Sequence, residues 1–126
     1  MADEICKKIL HIDDEPDITY VVEFVLSSNG FEVGILSDST QAVSELLNNK
    51  YCLLILDLMM PKIDGFEVIK RIREEETLKQ LPILILSSRQ LSTEETNFLK
   101  QMNAQVISKP FEPHRLLEKV REIVAE

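Results

Sequence analysis

Lys8-Ile9-Leu10-His11-Ile12-Asp13-Asp14-Glu15-Pro16 begins as a mostly apolar run, turns acidic within one residue and then meets a proline. The apolar part reads as a short buried β-strand. Pro16 suits the first turn of a helix, where a missing backbone N–H costs nothing. Ile18, Val21, Val22, Val25 and Leu26 follow at helical spacing. The order is therefore strand, acidic turn, helix. Cys52-Leu53-Leu54-Ile55-Leu56 then ends in Asp57. It shows no polar alternation, as expected of a central strand covered on both faces.

The rest of the chain repeats this alternation. Asn29-Gly30 ends the first helix with residues that tolerate a left-handed conformation. Phe31–Leu36 reads as a second strand, after which Asp38, Ser39 or Thr40 caps a helix using Ala42, Val43, Leu46 and Leu47. Asp64-Gly65 precedes a third helix with Phe66, Val68, Ile69 and Ile72 as its apolar positions, and Glu74-Glu75-Glu76 is its solvated end. Pro82 opens the fourth strand, Ile83–Leu86, and Ser92 or Thr93 caps the fourth helix, with Glu95 placed to complete a capping box with Ser92. Gln105–Ser108 is the fifth strand, and Pro113–Val124 the last helix, with Leu116, Leu117, Val120 and Ile123 inward. Five β–α units with right-handed crossovers give an α/β fold, a three-layer α/β/α sandwich around one five-stranded parallel sheet.

The 126 residues suit one domain, and no linker or repeat divides them. A net charge of −8 argues against direct nucleic-acid binding, which needs clustered Lys and Arg, and against anionic membranes. The apolar runs fall far short of the roughly 20 residues that span a bilayer. The first ten residues mix charged and apolar positions and do not resemble a signal peptide. Cys6 and Cys52 are expected to be independent small buried hydrophobes, with a disulfide as the alternative. A cytoplasmic location follows. Tyr20 and Phe24 are expected to fill the edge between first helix and sheet, with an exposed partner-binding patch as the alternative.

Ligands of parallel sheets bind outside the carboxyl ends of the strands, which is where Asp13, Asp14 and Asp57 lie. Neighbouring strands would bring three carboxylates into one crevice, and their repulsion calls for a cation. Such a cluster points to a hard divalent metal and phosphate chemistry. Lys109, ahead of Pro110 at the end of the fifth strand, would neutralise charge at rest and pair with a phosphoryl oxygen later. The proline allows a cis peptide that would help point the lysine inward. Ser87, closing the fourth strand, offers a hydroxyl to the same group.

The chain resembles the receiver domains of two-component response regulators. The resemblance rests on Asp13-Asp14-Glu15, on Asp57-Leu58-Met59-Met60-Pro61 leading to Asp64-Gly65, on Ser87 and on Lys109-Pro110-Phe111, in family order over essentially the whole chain. It implies one receiver domain over residues 1–126, with a flavodoxin-like strand order 2-1-3-4-5. It implies that Asp57 accepts a phosphoryl group from a sensor histidine kinase or phosphotransfer protein. It implies a Mg2+ ion held by Asp14, Asp57 and the main-chain carbonyl of Met59, with Asp13 acting mainly through water. Lys109 and Ser87 would contact the phosphoryl group, and the surface around the fourth helix, fifth strand and fifth helix would switch. Enzymatic action would be limited to self-phosphorylation and autodephosphorylation at Asp57. The output protein is not named by the sequence, and a homodimer is left open.

Two departures stand out. Val106 occupies the position where the family often carries Tyr or Phe, and Asn103-Ala104 replaces the usual Gly-Ala before the fifth strand. Among competing readings, a haloacid-dehalogenase-like phosphatase wants an Asp where Met59 stands. A flavin carrier wants a phosphate loop that Asp13-Asp14-Glu15 would repel. A receiver-like protein-binding module acting without phosphorylation is the remaining alternative.

Overall fold

The computed structural model describes residues 6–58 and 64–125. Strands and helices alternate along them: β1 (Lys8–Ile12), α1 (Pro16–Ser27), β2 (Glu32–Leu36), α2 (Ala42–Asn48), β3 (Leu53–Asp57), α3 (Gly65–Glu74), β4 (Ile83–Ser87), α4 (Thr93–Gln101), β5 (Ala104–Ser108) and α5 (Pro113–Val124). The strands form one parallel sheet in the order β2-β1-β3-β4-β5. This is the order that the resemblance implied.

Alternation along each strand sorts the apolar side chains between two layers. Ile9, Leu53, Ile55, Leu84 and Leu86 pack against Val22 and Leu26 of α1 and against Leu116 and Val120 of α5. Leu10, Ile12, Leu54, Leu56, Ile83 and Ile85 face α2, α3 and α4 through Leu46, Val68, Ile69, Ile72 and Leu99. All five residues of β3 are buried, which accounts for its unbroken aliphatic run.

Local chemistry fixes the helix ends. The Asp64 carboxylate accepts the Phe66 amide at 2.8 Å to start α3. Ser92 and Glu95 form the reciprocal capping box at α4. Asp38 caps as well, but of a 3-10 turn, Ser39–Gln41, that leads into α2. Asn103 sits at φ 60° between α4 and β5, so asparagine takes the left-handed role usually given to glycine. Gly65 is needed for space, because a Cβ there would meet Leu58 Cα at 2.8 Å. That close approach seats the start of α3 against the residue after Asp57.

Arg73 of α3 ties two turns together at the far end of α4. Its Nε donates to Met102 O at 2.8 Å, Nη1 to Leu78 O at 2.8 Å and Nη2 to Asn103 O at 3.4 Å. Removing the fork takes a charged donor from each of these carbonyls, and charged hydrogen bonds of this kind contribute about 1.5–3 kcal/mol. We expect Arg73→Ala to lower stability by about 2 kcal/mol in urea unfolding. Arg73→Lys should recover only part, since an ammonium does not reproduce the planar fork.

Tyr51 donates its hydroxyl to Glu45 Oε2 at 2.6 Å, and the Lys8 ammonium lies 5.1 Å from its ring centroid. Burial, then the bond to Glu45 and the carboxylate charges nearby, push the phenol up to about 12. Its contribution to stability is therefore complete below its ordinary pKa of 10 and lost as pH rises through about 12. Alkaline absorbance titration should show a tyrosine ionising near pH 12, and Tyr51→Phe should abolish that step.

Two expectations need correction. Cys6 and Cys52 are not independent: they form a disulfide, with Cα atoms 5.9 Å apart, joining the segment before β1 to the segment before β3. Parallel pairing of β1 with β3 brings their starts together. Tyr20 and Phe24 do not fill the helix–sheet edge; they are 69% and 61% exposed and stack on each other with centroids 6.3 Å apart. Phe98, by contrast, meets Phe66 edge-to-face at 5.7 Å beside the core. Among the described residues, no helix is long and apolar enough to cross a membrane.

Candidate functional site

Neighbouring strand ends make the site. His11 pairs with Ile55 and Ile12 with Leu56 in the β1–β3 ladder, so the next step up brings Asp13 beside Asp57. The Asp13 amide donates to Leu36 O at 3.1 Å, which carries the β1–β2 ladder up to the acidic turn. On the other side, the Lys109 amide donates to Ser87 O at 2.7 Å and extends the β4–β5 ladder. The Lys109-Pro110 peptide is cis.

Carboxylate oxygens of Asp13, Asp14 and Asp57 lie within 4.8 Å of one another. Asp13 and Asp57 are buried, whereas Asp14 is exposed and forms the open side. Lys109 reaches in from β5. Its Nζ stands 2.9 Å from Glu15 Oε1, 3.5 Å from Asp57 Oδ2 and 3.6 Å from Asp13 Oδ2. Burial by itself lowers the ammonium's pKa, but the bond to Glu15 and the charges of Asp13 and Asp57 raise it overall. Lys109 is therefore held charged. For Asp13, burial pushes the carboxyl up, yet the His11 ring, the Glu15 amide and Lys109 outweigh it and hold the group below its ordinary value. Its Oδ1 accepts the Glu15 amide at 2.9 Å.

Ser87, at the end of β4, is buried and donates its hydroxyl to Arg89 O at 3.0 Å. Arg89 in turn makes a two-pronged contact with Glu95, Nη1 to Oε1 at 2.9 Å and Nη2 to Oε2 at 2.7 Å. That pair, with the Ser92 amide, pulls the Glu95 carboxyl down to about 2. One chain of contacts thus runs from Ser87 through Arg89 to the first turn of α4.

Of the residues expected at the site, Asp13, Asp14, Asp57 and Lys109 come together. Ser87 adjoins them at the end of β4, and Met59 lies outside the described residues. Glu15 was missed as the nearest partner of Lys109. Its only sequence signal is its place after the acidic pair. The donor set is three hard oxygens from carboxylates, which suits Mg2+ or Ca2+ and not a soft metal.

Residues 9–121 match the family model described as the response regulator receiver domain. The chain belongs to that family. This receiver is 32% identical over 118 residues to the alkaline phosphatase synthesis transcriptional regulatory protein PhoP of Bacillus subtilis, a match covering 94% of this chain and 48% of the relative. It is 31% identical over 126 residues to the response regulator Rre1 of Synechocystis, covering 99% of this chain and 54% of that protein. The receiver thus spans about half the length of these curated relatives. Among solved structures it is similar to the chemotaxis response regulator CheY4 of Vibrio cholerae, with a TM-score of 0.85, 30% identity and coverage of 94% and 98%. It is also similar to the receiver domain of the sensor histidine kinase PA1611 from Pseudomonas aeruginosa, with a TM-score of 0.84, 28% identity and coverage of 96% and 99%. That structure has a magnesium ion coordinated in its active site cleft.

Proposed function

We propose that this receiver is switched by phosphorylation of Asp57, with the phosphoryl group coming from a phosphohistidine on a sensor histidine kinase or phosphotransfer protein. The observation that carries this reading is the charge arrangement. Three carboxylates share a crevice within 4.8 Å, and one ammonium stands 3.5 Å from the nucleophile. Asp14 and Asp57, with the main-chain carbonyl of Met59, would hold Mg2+, and Asp13 would act on it mainly through water. When bound, the ion supplies positive charge that offsets the developing charge on the phosphoryl oxygens.

The remaining work belongs to the chain's own side chains. An Asp57 oxygen attacks phosphorus in line with the phosphohistidine bond. The P–N bond breaks, and its electron pair returns to the departing imidazole nitrogen. The Lys109 ammonium, already charged, pairs with a phosphoryl oxygen at little reorganisation cost. Ser87 leaves the Arg89 carbonyl and donates to another oxygen. Arg89 is fastened to Glu95, so the movement reaches α4 without an aromatic residue at position 106. Val106 is 38% exposed on β5 and borders a cleft of about 370 Å3 with Phe111 and Arg115. The α4, β5 and α5 surface is therefore the proposed output face, for a partner protein or domain.

The test is incubation with acetyl phosphate, with and without Mg2+, followed by mass spectrometry of the intact protein and its peptides. One phosphoryl adduct on Asp57, formed only with metal, is the expected result. A folded sample that takes up no phosphoryl group or beryllofluoride in Mg2+ would instead support a receiver-like binding module.

A further inference from the structure

His11 is a buried polar anomaly. The ring sits near the carboxyl end of β1, 0% exposed, with Ile35 of β2 and Ile55 of β3 as its neighbours across the sheet. The layer it faces, through Ile9, Val22, Leu53 and Leu116, is apolar. Neither ring nitrogen has a partner within hydrogen-bond geometry among the described residues. An imidazole left that way is costly to bury, and valine or leucine would fill the same space without the cost.

The direction of the ring gives the cost a purpose. Residues two apart on a strand share a face, so His11 lies directly below Asp13. Its Nε2 is 3.5 Å from Asp13 Oδ2, and both side chains are fully buried. The other Asp13 oxygen is committed to the Glu15 amide. Oδ2 therefore has two neighbours, the His11 ring and the Lys109 ammonium at 3.6 Å. Lys109 is the group that must turn toward an arriving phosphoryl oxygen. When it does, Oδ2 is left to the ring.

Resting on the phosphoacceptor reading above, we propose that His11 is a positioning residue of the phosphoryl-transfer site. Its Nε2–H donates to Asp13 Oδ2 and holds that carboxylate in place while Lys109 leaves it. The 3.5 Å separation is the resting distance, shared with the lysine, and it closes to a normal hydrogen bond once the lysine has gone. Without the ring, Asp13 competes with the phosphoryl group for Lys109.

The test combines two variants with a direct view of the ring. At saturating Mg2+, His11→Val should bind beryllofluoride about tenfold more weakly than wild type, the effect of losing one hydrogen bond to a charged group. It should melt no lower than wild type, since an unpaired polar group has been removed from an apolar layer. His11→Gln, which keeps a donor, should restore most of the affinity. Nitrogen NMR of the wild-type imidazole should place the proton on Nε2, with a stronger hydrogen bond after beryllofluoride is added. A proton on Nδ1, or His11→Val binding as tightly as wild type, would overturn the proposal alone. A wild-type protein that takes no beryllofluoride in Mg2+ overturns the phosphoacceptor reading and this proposal with it.

Discussion

Asp57→Asn is expected to abolish phosphoryl uptake from acetyl phosphate, a loss of at least about a thousandfold for a missing nucleophile. Asparagine has the same shape, so the buried end of β3 should pack as before and the fold should survive. What changes is charge. The crevice loses one of three carboxylates whose oxygens lie within 4.8 Å. In metal-free buffer that relieves repulsion among the carboxylates while giving up the Lys109 pair, so the variant should be no less stable than wild type. Added Mg2+ should put wild type ahead, because a ligand stabilises the folded state according to its affinity and wild type binds more tightly. Thermal melts with and without Mg2+ read the change, and mass spectrometry reads the adduct. Uptake by Asp57→Asn at the wild-type rate would place the phosphoryl group on another residue.

The fold was legible where one local rule acted alone. Leu53-Leu54-Ile55-Leu56 has no polar position, and the strand it forms is covered by helices on both faces. Ser92 and Glu95 stand at capping-box spacing and form the box. Asn103 was read as a stand-in for glycine and takes φ 60°. The misses depended on how neighbouring elements meet. The disulfide needs β1 beside β3, which the expected strand order already gave, and also the start of each strand in register with the other, which nothing near Cys6 or Cys52 encodes. Tyr20 and Phe24 were expected at the edge between helix and sheet because aromatics beside an inward stripe more often fill it. The inward face of α1 is already filled by Val22 and Leu26 with Ile18 and Val25 beside them, so the rings lie mostly exposed and stack on each other.

The site divides in the same way. Asp13, Asp14, Asp57 and Lys109 all sit at or just past strand ends, and a parallel sheet gathers such ends whatever the loops do. Side-chain direction was harder to read. Ser87 ends the expected strand, but its hydroxyl turns to the Arg89 carbonyl in its own loop. Glu15 looked like part of a turn and proves to be the shortest contact of Lys109. His11 looked like one residue of an apolar run. Its burial follows from the strand it belongs to, but the approach of its ring to Asp13 Oδ2 is a matter of side-chain geometry that the pattern does not carry.

The second large effect concerns the Lys109 ammonium, which bridges Glu15, Asp57 and Asp13. Lys109→Met keeps the aliphatic stem and removes the charge, taking one cation away from two buried carboxylates. Breaking a buried pair on one side costs about 3–5 kcal/mol in a closed interior. Here exposed Asp14 leaves the crevice open to water, so we expect about 2 kcal/mol in metal-free urea unfolding. Mg2+ should recover more stability for Lys109→Met than for wild type, because the ion replaces some of the missing charge. Phosphoryl uptake should not recover with it: at saturating Mg2+ the rate should remain about a hundredfold below wild type, the usual loss for one preorganised electrostatic contact. Those two readouts separate the resting role of Lys109 from its transfer role. A metal-restored rate would mean that the lysine serves only to balance charge. A normal metal-free stability would mean that the carboxylates protonate or find water instead, and the variant's stability should then rise as pH falls toward the carboxylate range, opposite to the acid loss expected of wild-type Asp13, whose carboxyl is held below its ordinary value.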